Sequence, residues 1–564
     1  MQRICAIINA RLITTGVAKM SKVAQYLQEH LLGEVTSSVE VRKSFSTDAS
    51  VLQMMPAVVV YPRDENDVRK TARFTWQLAE RGRSLPITVR GAGTDQSGAA
   101  LGSGIILSMQ AHMNRIVVLD SKAGTVSVEP GTNYGKLQQT LQTHNRYLPP
   151  FPASFEYTSI GGAIANNACG EKSLKYGDTR AYAKSLRVVL ANGEIIETGR
   201  LNKRELNKKL GLSSFEGEIY RALDALLEEH AETIANARKQ VTKNAAGYDL
   251  ADIRQKDGSF DLTPLFVGSQ GTLGIITEAT LDTEPDNPES TLFVGLFDNL
   301  QHATQAVLAL RKLPEMPSAL EMVDEHLLKL VEQLNPNQLK DVLSKPLPKV
   351  VLLVEFDNPN DRSQKRISKK ASKIFEQYAV EFKMETNPAE QEKLWRIRHA
   401  SATVVAHSEG NVRAVPIIED GIVPVEKLEE YVSGIYQLFK KHHLNVAVWG
   451  HAGDGNLHVQ PFFDLSQLGD RQKVFKLMNE YYALVLELGG STTAEHGDGR
   501  LRAPYLRSVY GDDMYALLLK VKQIFDPYDL LNPGVKFGTS LDDVKAMLRS
   551  EYSLGRLHHF SLRS

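Results

Sequence analysis

Pro86-Ile87-Thr88-Val89-Arg90-Gly91-Ala92-Gly93-Thr94-Asp95-Gln96-Ser97-Gly98 reads as an apolar strand that runs into a glycine-rich loop. Glycines let a backbone turn tightly and bring successive N–H groups against a phosphate. Arg90 and Thr94 add a charge and a hydroxyl donor. The spacing lacks the third glycine of G-x-G-x-x-G, which argues against a Rossmann dinucleotide site. Taken alone, the loop is equally an ordinary glycine turn. Two further stretches of small residues change its weight: Ser159-Ile160-Gly161-Gly162-Ala163-Ile164-Ala165-Asn166-Asn167-Ala168-Cys169-Gly170, followed by Tyr176-Gly177, and Gly268-Ser269-Gln270-Gly271-Thr272-Leu273-Gly274-Ile275-Ile276-Thr277. Small residues on three separate segments permit the close backbone approach that a large, flat, phosphate-bearing cofactor requires.

Around the first loop the strand signals crowd together. Ala57–Tyr61, Pro86–Arg90, Gly104–Leu107 and Thr125–Val128 are β-rich runs, and Asp64–Arg81 carries Val68, Ala72, Leu78 and Ala79 at helical spacing. Strand, helix, strand predicts a mixed α/β unit. Glu284-Pro285-Asp286-Asn287-Pro288 is a turn-rich break, after which the pattern resets. Leu292–Phe297 and Val350–Phe356 read as strands, Leu300–Leu313 and Arg362–Tyr378 as helices. This order predicts a ferredoxin-like antiparallel sheet with helices on one face. After about residue 500 the chain returns to helices and ends that stretch at Asn532-Pro533-Gly534.

The composition agrees with an ordinary globular chain. Its 564 residues correspond to roughly 3–4 domain equivalents. Lys plus Arg number 66 against 67 Asp plus Glu, so no global basic footprint for nucleic acid exists. The 2 cysteines, Cys5 and Cys169, cannot build a disulfide framework, a four-cysteine zinc site or an iron–sulfur cluster within this sequence.

A second constellation lies near the far end. Val446-Ala447-Val448-Trp449-Gly450-His451-Ala452-Gly453-Asp454-Gly455-Asn456-Leu457-His458-Val459 reads as strand, glycine turn, strand. His451 and His458 flank the turn and can point at one place, which suits a divalent transition metal. Thr493-Ala494-Glu495-His496-Gly497-Asp498-Gly499 offers a carboxylate and another imidazole side by side. Asp454 and Asp498 stand next to glycines, where Asp stabilises turns, and are left outside the metal shell.

The order of the three loops, with Glu129-Pro130-Gly131 between the first two, resembles the FAD-binding domain of the vanillyl-alcohol-oxidase (PCMH-type) superfamily. HAGDGNLH and EHGDG resemble the signature segments of its FAD-dependent D-2-hydroxyacid dehydrogenases, of D-lactate, D-2-hydroxyglutarate and glycolate type. The resemblance runs from about residue 45 to about residue 540. It implies an α+β chain: an N-terminal extension and entry helix (1–44), a PCMH-type FAD-binding domain of two subdomains (45–284), a cap or substrate domain with the metal site (285–499), a C-terminal return to the FAD domain (500–540) and a tail (541–564). It further implies cofactor contacts from Arg90, Gly91, Ala92, Gly93, Thr94, Asp95, Gln96 and Ser97, with residues 90–98 around the pyrophosphate. Further contacts are implied from Pro130, Gly131, Ser154, Ser159, Gly161, Gly162, Asn166, Gly170, Tyr176 and Gly177, and from Gly271, Thr272, Gly274, Ile275, Ile276 and Asn532. Members often anchor flavin through a histidine in the pyrophosphate loop; residues 90–98 contain none, so noncovalent FAD is expected. Carried over position by position, His451, His458 and Glu495 match the metal ligands and His496 the catalytic base. Arg398, at the end of Leu394-Trp395-Arg396-Ile397-Arg398, matches the arginine that holds the substrate carboxylate. Zn, Mn, Fe or Co all suit such ligands.

The sequence departs from the pattern in places that bear on the substrate side chain. Ile418 stands where some relatives carry lysine, with Arg413 five residues earlier as a stand-in. Gln460 replaces an asparagine, and Ala402 lies where a hydroxyl side chain occurs. The expected activity is oxidation of a D-2-hydroxyacid to the 2-oxoacid. Hydride goes to flavin N5, with metal-assisted loss of the hydroxyl proton, which His496 accepts if it is neutral near pH 7. An oxidase of the same fold that uses oxygen, or a flavoprotein subunit of a larger glycolate-oxidase-type complex, is the alternative. Electrons are expected to leave to a quinone, a cytochrome or a separate iron–sulfur or electron-transfer protein. A homodimer and peripheral membrane contact are left open, and a reducing, cytoplasmic setting is expected. The first twenty residues, with Arg3, Arg11 and Lys19 and a broken apolar run, make a poor secretory signal; they read as a mitochondrial transit peptide or as a segment upstream of a true start at Met20. Residues 541–564, with Lys545, Arg549, Arg556 and Arg563, read as a frayed tail.

Overall fold

The computed structural model describes residues 21–406 and 408–552. Cys5, the N-terminal basic residues, Arg556 and Arg563 fall outside these, and with them the readings of a transit peptide or a later start. The cofactor unit holds two sheets. In the first, Val58–Tyr61 and Ile87–Arg90 both lie parallel to Ile105–Ser108, and Glu34–Thr36 adds an antiparallel edge. The sheet therefore begins inside the segment expected to be an extension. Helix Glu65–Ala79 crosses over it, capped by Asp64 and burying Val68 and Ala72 against the strands. Strand Ile87–Arg90 thus ends at the sheet's carboxyl edge, and the glycine loop emerges there.

The second sheet is antiparallel, in the order Ile116–Asp120, Thr125–Val128, Ile275–Asp282, Ala183–Val189, Ile195–Glu197. The return helix Leu506–Phe525 packs Leu517, Leu518, Val521 and Phe525 into the core beneath it. Along Ile275–Asp282 burial alternates residue by residue, the signature of period-2 side-chain geometry.

The cap is a six-stranded sheet, in the order Glu381–Glu385, Thr291–Phe297, Val350–Phe356, Ala319–Asp324, Val448–His451, Asn456–Val459. Helices cover both faces rather than one. Phe293, Leu352 and Val354 pack with helices Leu300–Arg311, Asp361–Tyr378, Leu428–Lys441 and Leu468–Glu487. Leu292, Val323 and Leu353 pack with Glu325–Leu334 and Pro388–His399. The unbroken apolar run Val350-Val351-Leu352-Leu353-Val354 carries this information, because a strand buried on both faces has no polar side to show.

Residues 541–552 correct the expectation of a frayed tail. Helix Leu541–Met547 and the turn after it bury Val544, Leu548 and Tyr552 in the cap-side core. Gln53 N–H donates to Met547 O and Arg549 N–H to Val51 O, so this segment is stitched to the start of the cofactor unit. Among the described residues, no helix is long and apolar enough to cross a membrane.

Candidate functional site

A cavity of about 1380 Å³ separates the cofactor unit from the cap. Its cofactor-side wall is made by Gly91–Gln96, Pro130, Ser154, Ser159, Gly161, Gly162, Asn166, Gly170, Gly271, Gly274 and Ile276. Close packing of loops explains the glycines. A Cβ on Gly91 would lie 2.0 Å from Ser159 Oγ, and one on Gly161 2.5 Å from Pro130 Cβ. Among the described residues, the N–H groups of Ala92 to Gln96 donate to no protein acceptor, so a run of amides remains for an anion. That run, bordered by small residues, fits the phosphates of FAD.

Eight residues expected at the cofactor do not line this cavity. Arg90 turns inward under the loop, donates to the carbonyls of Thr47, Ala100 and Phe45, and lies over the Phe45 ring. Ser97 sits behind Asp95 and donates to its carboxylate at 2.8 Å. Gly131 packs against the Met109 backbone. Tyr176 gives its hydroxyl to Asp357 of the cap, with Gly177 beside it. Thr272 hydrogen-bonds to Ser269 O and the Tyr248 hydroxyl. Ile275 points into the core because its neighbour Ile276 takes the cavity side of the strand. Asn532 spends its amide on Ala99 O and Gln270 O, tying two loops together. Arg90, Ser97 and Asn532 thus brace the cradle from behind.

Across the cavity the histidine cluster assembles. Trp449 pairs with His458 in the hairpin register, and His451 lies two residues beyond Trp449. Side-chain alternation therefore puts both imidazoles on one face. Glu495 and His496 arrive from a loop that Asp420 organises: its carboxylate accepts the N–H groups of Ala494 at 3.1 Å, Glu495 at 3.2 Å and His496 at 2.8 Å. As a result, three imidazole Nε2 atoms face one oxygen. Glu495 Oε1 is 3.3 Å from His451, 3.4 Å from His458 and 3.6 Å from His496. On the far side of the rings stand more carboxylates. Glu321 Oε1 is 2.7 Å from His451 Nδ1; Glu419 is 2.8 Å from His496 Nδ1 and 3.6 Å from His458 Nδ1. A carboxylate behind an imidazole fixes its tautomer and aims its other nitrogen at a metal. His451, His458 and Glu495 form a candidate ligand set whose donor atoms lie within 4.8 Å of one another. The donor chemistry fits a divalent transition metal.

Each buried carboxylate also has a buried cation. Arg398 Nε donates to Glu321 at 2.6 Å, Arg502 to Glu419, and Lys243 to Glu495 at 3.2 Å. Removing one member of such a pair costs about 3–5 kcal/mol. Burial opposes ionisation of these acids, but His451 with Arg398 outweighs it at Glu321, His496 with Arg502 at Glu419 and Lys243 with His451 at Glu495, and all three are held below the usual carboxylate range. Burial likewise disfavours the imidazolium forms, yet Glu321 holds His451 up to about 9, and Glu419 with Asp420 holds His496 up to about 10. His458, where burial dominates, is pushed down. In the metal-free site Glu419 and Asp420 therefore favour the imidazolium form of His496.

Arg398 is 4% exposed and lines the cavity, so it is no solvated helix-surface residue. With Nε on Glu321 and only a 3.4 Å contact from Nη1 to Ser401, its terminal nitrogens remain for a ligand. Arg413, Gln460 and Ala402 line the same cavity, whereas Ile418 is buried in the cap core. Gln460 Oε1 is buried without a hydrogen-bond partner among the described residues. Asp454 and Asp498 act in support: Asp454 accepts from Ser173, and Asp498 from Lys536 and Gly247 N–H. Sequence reasoning missed the roles of Glu321, Glu419, Asp420, Arg502 and Lys243. Glu321 inside Ala319-Leu320-Glu321-Met322-Val323 and Glu419 after Ile417-Ile418 did carry a signal, an acid interrupting a buried apolar run.

Comparison with known proteins agrees with this arrangement. Residues 56–199 match the model of the FAD binding domain, and residues 287–535 match that of the C-terminal domain of FAD linked oxidases. The chain is 30% identical over 502 residues to glycolate oxidase subunit GlcD of Bacillus subtilis (strain 168), covering 88% of this chain and 92% of that protein. It is 31% identical over 524 residues to D-2-hydroxyglutarate dehydrogenase of Escherichia coli (strain K12), covering 90% of this chain and 50% of that one. It thus spans about half the length of the D-2-hydroxyglutarate dehydrogenases it matches. Among solved structures, p-cresol methylhydroxylase superposes with a TM-score of 0.66 at 15% identity, over 92% of this chain and 97% of that one, a likeness of fold. The chain belongs to the FAD-linked oxidase family, with a FAD-binding domain followed by the C-terminal domain of that family.

Proposed function

We propose that this protein is a FAD-dependent dehydrogenase that oxidises a D-2-hydroxyacid to the 2-oxoacid. The observation that carries the reading is the convergence of three imidazole Nε2 atoms on Glu495 Oε1, beside Arg398, in the cavity whose opposite wall is the glycine cradle. When bound, FAD supplies the hydride acceptor, and a divalent metal at His451, His458 and Glu495 lowers the pKa of the substrate hydroxyl. Arg398 takes the substrate carboxylate on its terminal nitrogens and thereby orients C2. His496 accepts the hydroxyl proton at Nε2, and Glu419 on its Nδ1 stabilises the charge gained. Positive charge taken up beside Glu495 opposes the imidazolium form of His496 and so readies it as a base. Arg413, a cation lining the cavity, favours an acid with an anionic second end, such as D-2-hydroxyglutarate, over D-lactate.

The test is anaerobic. FAD-loaded, metal-replete protein should bleach on addition of D-2-hydroxyglutarate or D-lactate and stay yellow with the L-isomers. Absence of bleaching across a panel of D-2-hydroxyacids would overturn the proposal. Under air, a peroxide yield matching substrate consumption would identify an oxidase instead, whereas reduction of a quinone or dye marks the dehydrogenase.

A further inference from the structure

We infer that Lys243, supplied by the FAD-binding domain, is a positioning residue for Glu495, holding its carboxylate so that a single oxygen faces the metal position. The inference rests on the metal site proposed above. Lys243 is 7% exposed and lies on a segment laid along the Glu495 loop: Ala245 N–H donates to Thr493 O at 3.2 Å and Ser491 Oγ to Asn244 Oδ1 at 2.8 Å. Its Nζ is 3.2 Å from Glu495 Oε2, 3.3 Å from Cys169 Sγ, 3.3 Å from Ser173 Oγ and 3.7 Å from Asp454 Oδ2. Cys169 Sγ donates to the same Oε2 at 3.0 Å. The two oxygens of Glu495 therefore live in different surroundings. Oε2 is occupied by an ammonium and a thiol, while Oε1 faces the three imidazole nitrogens.

Two consequences follow from ordinary carboxylate chemistry. A carboxylate free to swing can close on a cation with both oxygens; one whose second oxygen is held by an ammonium cannot without abandoning a buried charge. The grip also crosses the cavity. Lys243, Cys169 and Ser173 belong to the cofactor side, whereas Glu495 and Asp454 belong to the cap side, and Thr242 Oγ1 further donates to Asp454 O at 3.0 Å. The ligand geometry is thus completed by the domain that carries the flavin.

The experiment uses FAD-loaded protein stripped of metal by a chelator and reconstituted with Co²⁺, read by its visible ligand-field spectrum and by chelator competition. Wild-type protein should give the intense bands of a four- or five-coordinate site. In Lys243→Met, with bound FAD and Tm retained, the bands should weaken as Glu495 becomes bidentate, and Co²⁺ should bind about tenfold more tightly, because the carboxylate gains a second bond to the ion and loses its competing ammonium. Should Lys243→Met not accumulate as FAD-loaded protein, Lys243→Gln, which keeps a donor without the charge, should show the same change to a lesser degree. A spectrum and Co²⁺ affinity matching wild type in the soluble variant would overturn the role of Lys243. Failure of wild-type protein to bind Co²⁺ would instead remove the metal site itself.

Discussion

The two walls of the cavity are built on opposite principles. The cofactor wall works through backbone: unpaired N–H groups at Ala92–Gln96, glycines where a Cβ would strike a neighbouring loop, and an arginine, Arg90, turned away to brace the turn. The cap wall works through side-chain charge: Glu321, Glu419 and Glu495 each face an imidazole and a buried cation, one of which, Lys243, comes from the cofactor side. Backbone recognition tolerates exchange of polar side chains but not an added methyl group. Charge recognition tolerates small changes of shape but not the loss of a partner. The walls should therefore fail separately, and in different observables.

Three substitutions sharpen or break that contrast. His451→Ala should abolish metal binding and lower kcat/KM by at least ~10³-fold, as loss of a principal electrostatic group does, while bound FAD stays at the wild-type level. Retained turnover would show that the cluster is not the reaction centre. Gly91→Ala should have the opposite signature. The added methyl would meet Ser159 Oγ at 2.0 Å and turn that hydroxyl off the Gly162 N–H it caps at the cavity wall, so FAD affinity should fall by about 100-fold, equivalent to about 2.7 kcal/mol. Co²⁺ uptake by the apoprotein should remain; equal loss of both ligands would merge the two walls into one unit. Glu321→Gln, the smallest effect, keeps a hydrogen-bond acceptor for His451 but drops the charge. Metal affinity should fall 10- to 100-fold, to be measured by chelator competition, with FAD content unchanged.

The uneven legibility of the two walls has the same origin. Loop glycines are recorded in the sequence because only glycine permits their close approach, so most of the cradle's glycines were visible, whereas Ser154 came only with the family resemblance. The errors there, Ile275 against Ile276 and Thr272 against Gly271, concern which way alternate residues of one segment face, and that depends on the sheet behind them. The histidines were visible because a short hairpin forces residues on its two arms together. Their carboxylate partners come from elements far away in the chain. Glu321 lies 130 positions before His451, and Glu419 lies 77 before His496. Lys243 has no local pattern at all. Residues 541–552 looked like a tail because the apolar anchors Val544, Leu548 and Tyr552 are separated by polar residues, and only the surface they cover reveals them.

The α+β class and the ligand and base roles came with the family resemblance; from the chain alone follow the strand-and-helix units, the turn-rich break near residue 285, the glycine loops and the convergence of His451 with His458. These rest on local rules: strand and helix periodicity, glycine's freedom, and the reach of a short hairpin. Only the folded molecule decided which acid stands behind which imidazole and which cation neutralises it. It also turned Arg90 and Asn532 away from the cavity. Charge pairing in a buried site is a matter of distance in space, which for Glu321 with His451 and Glu419 with His496 is set by how the cap's own elements pack, and for Lys243 with Glu495 by the packing of two domains, rather than by any run of sequence.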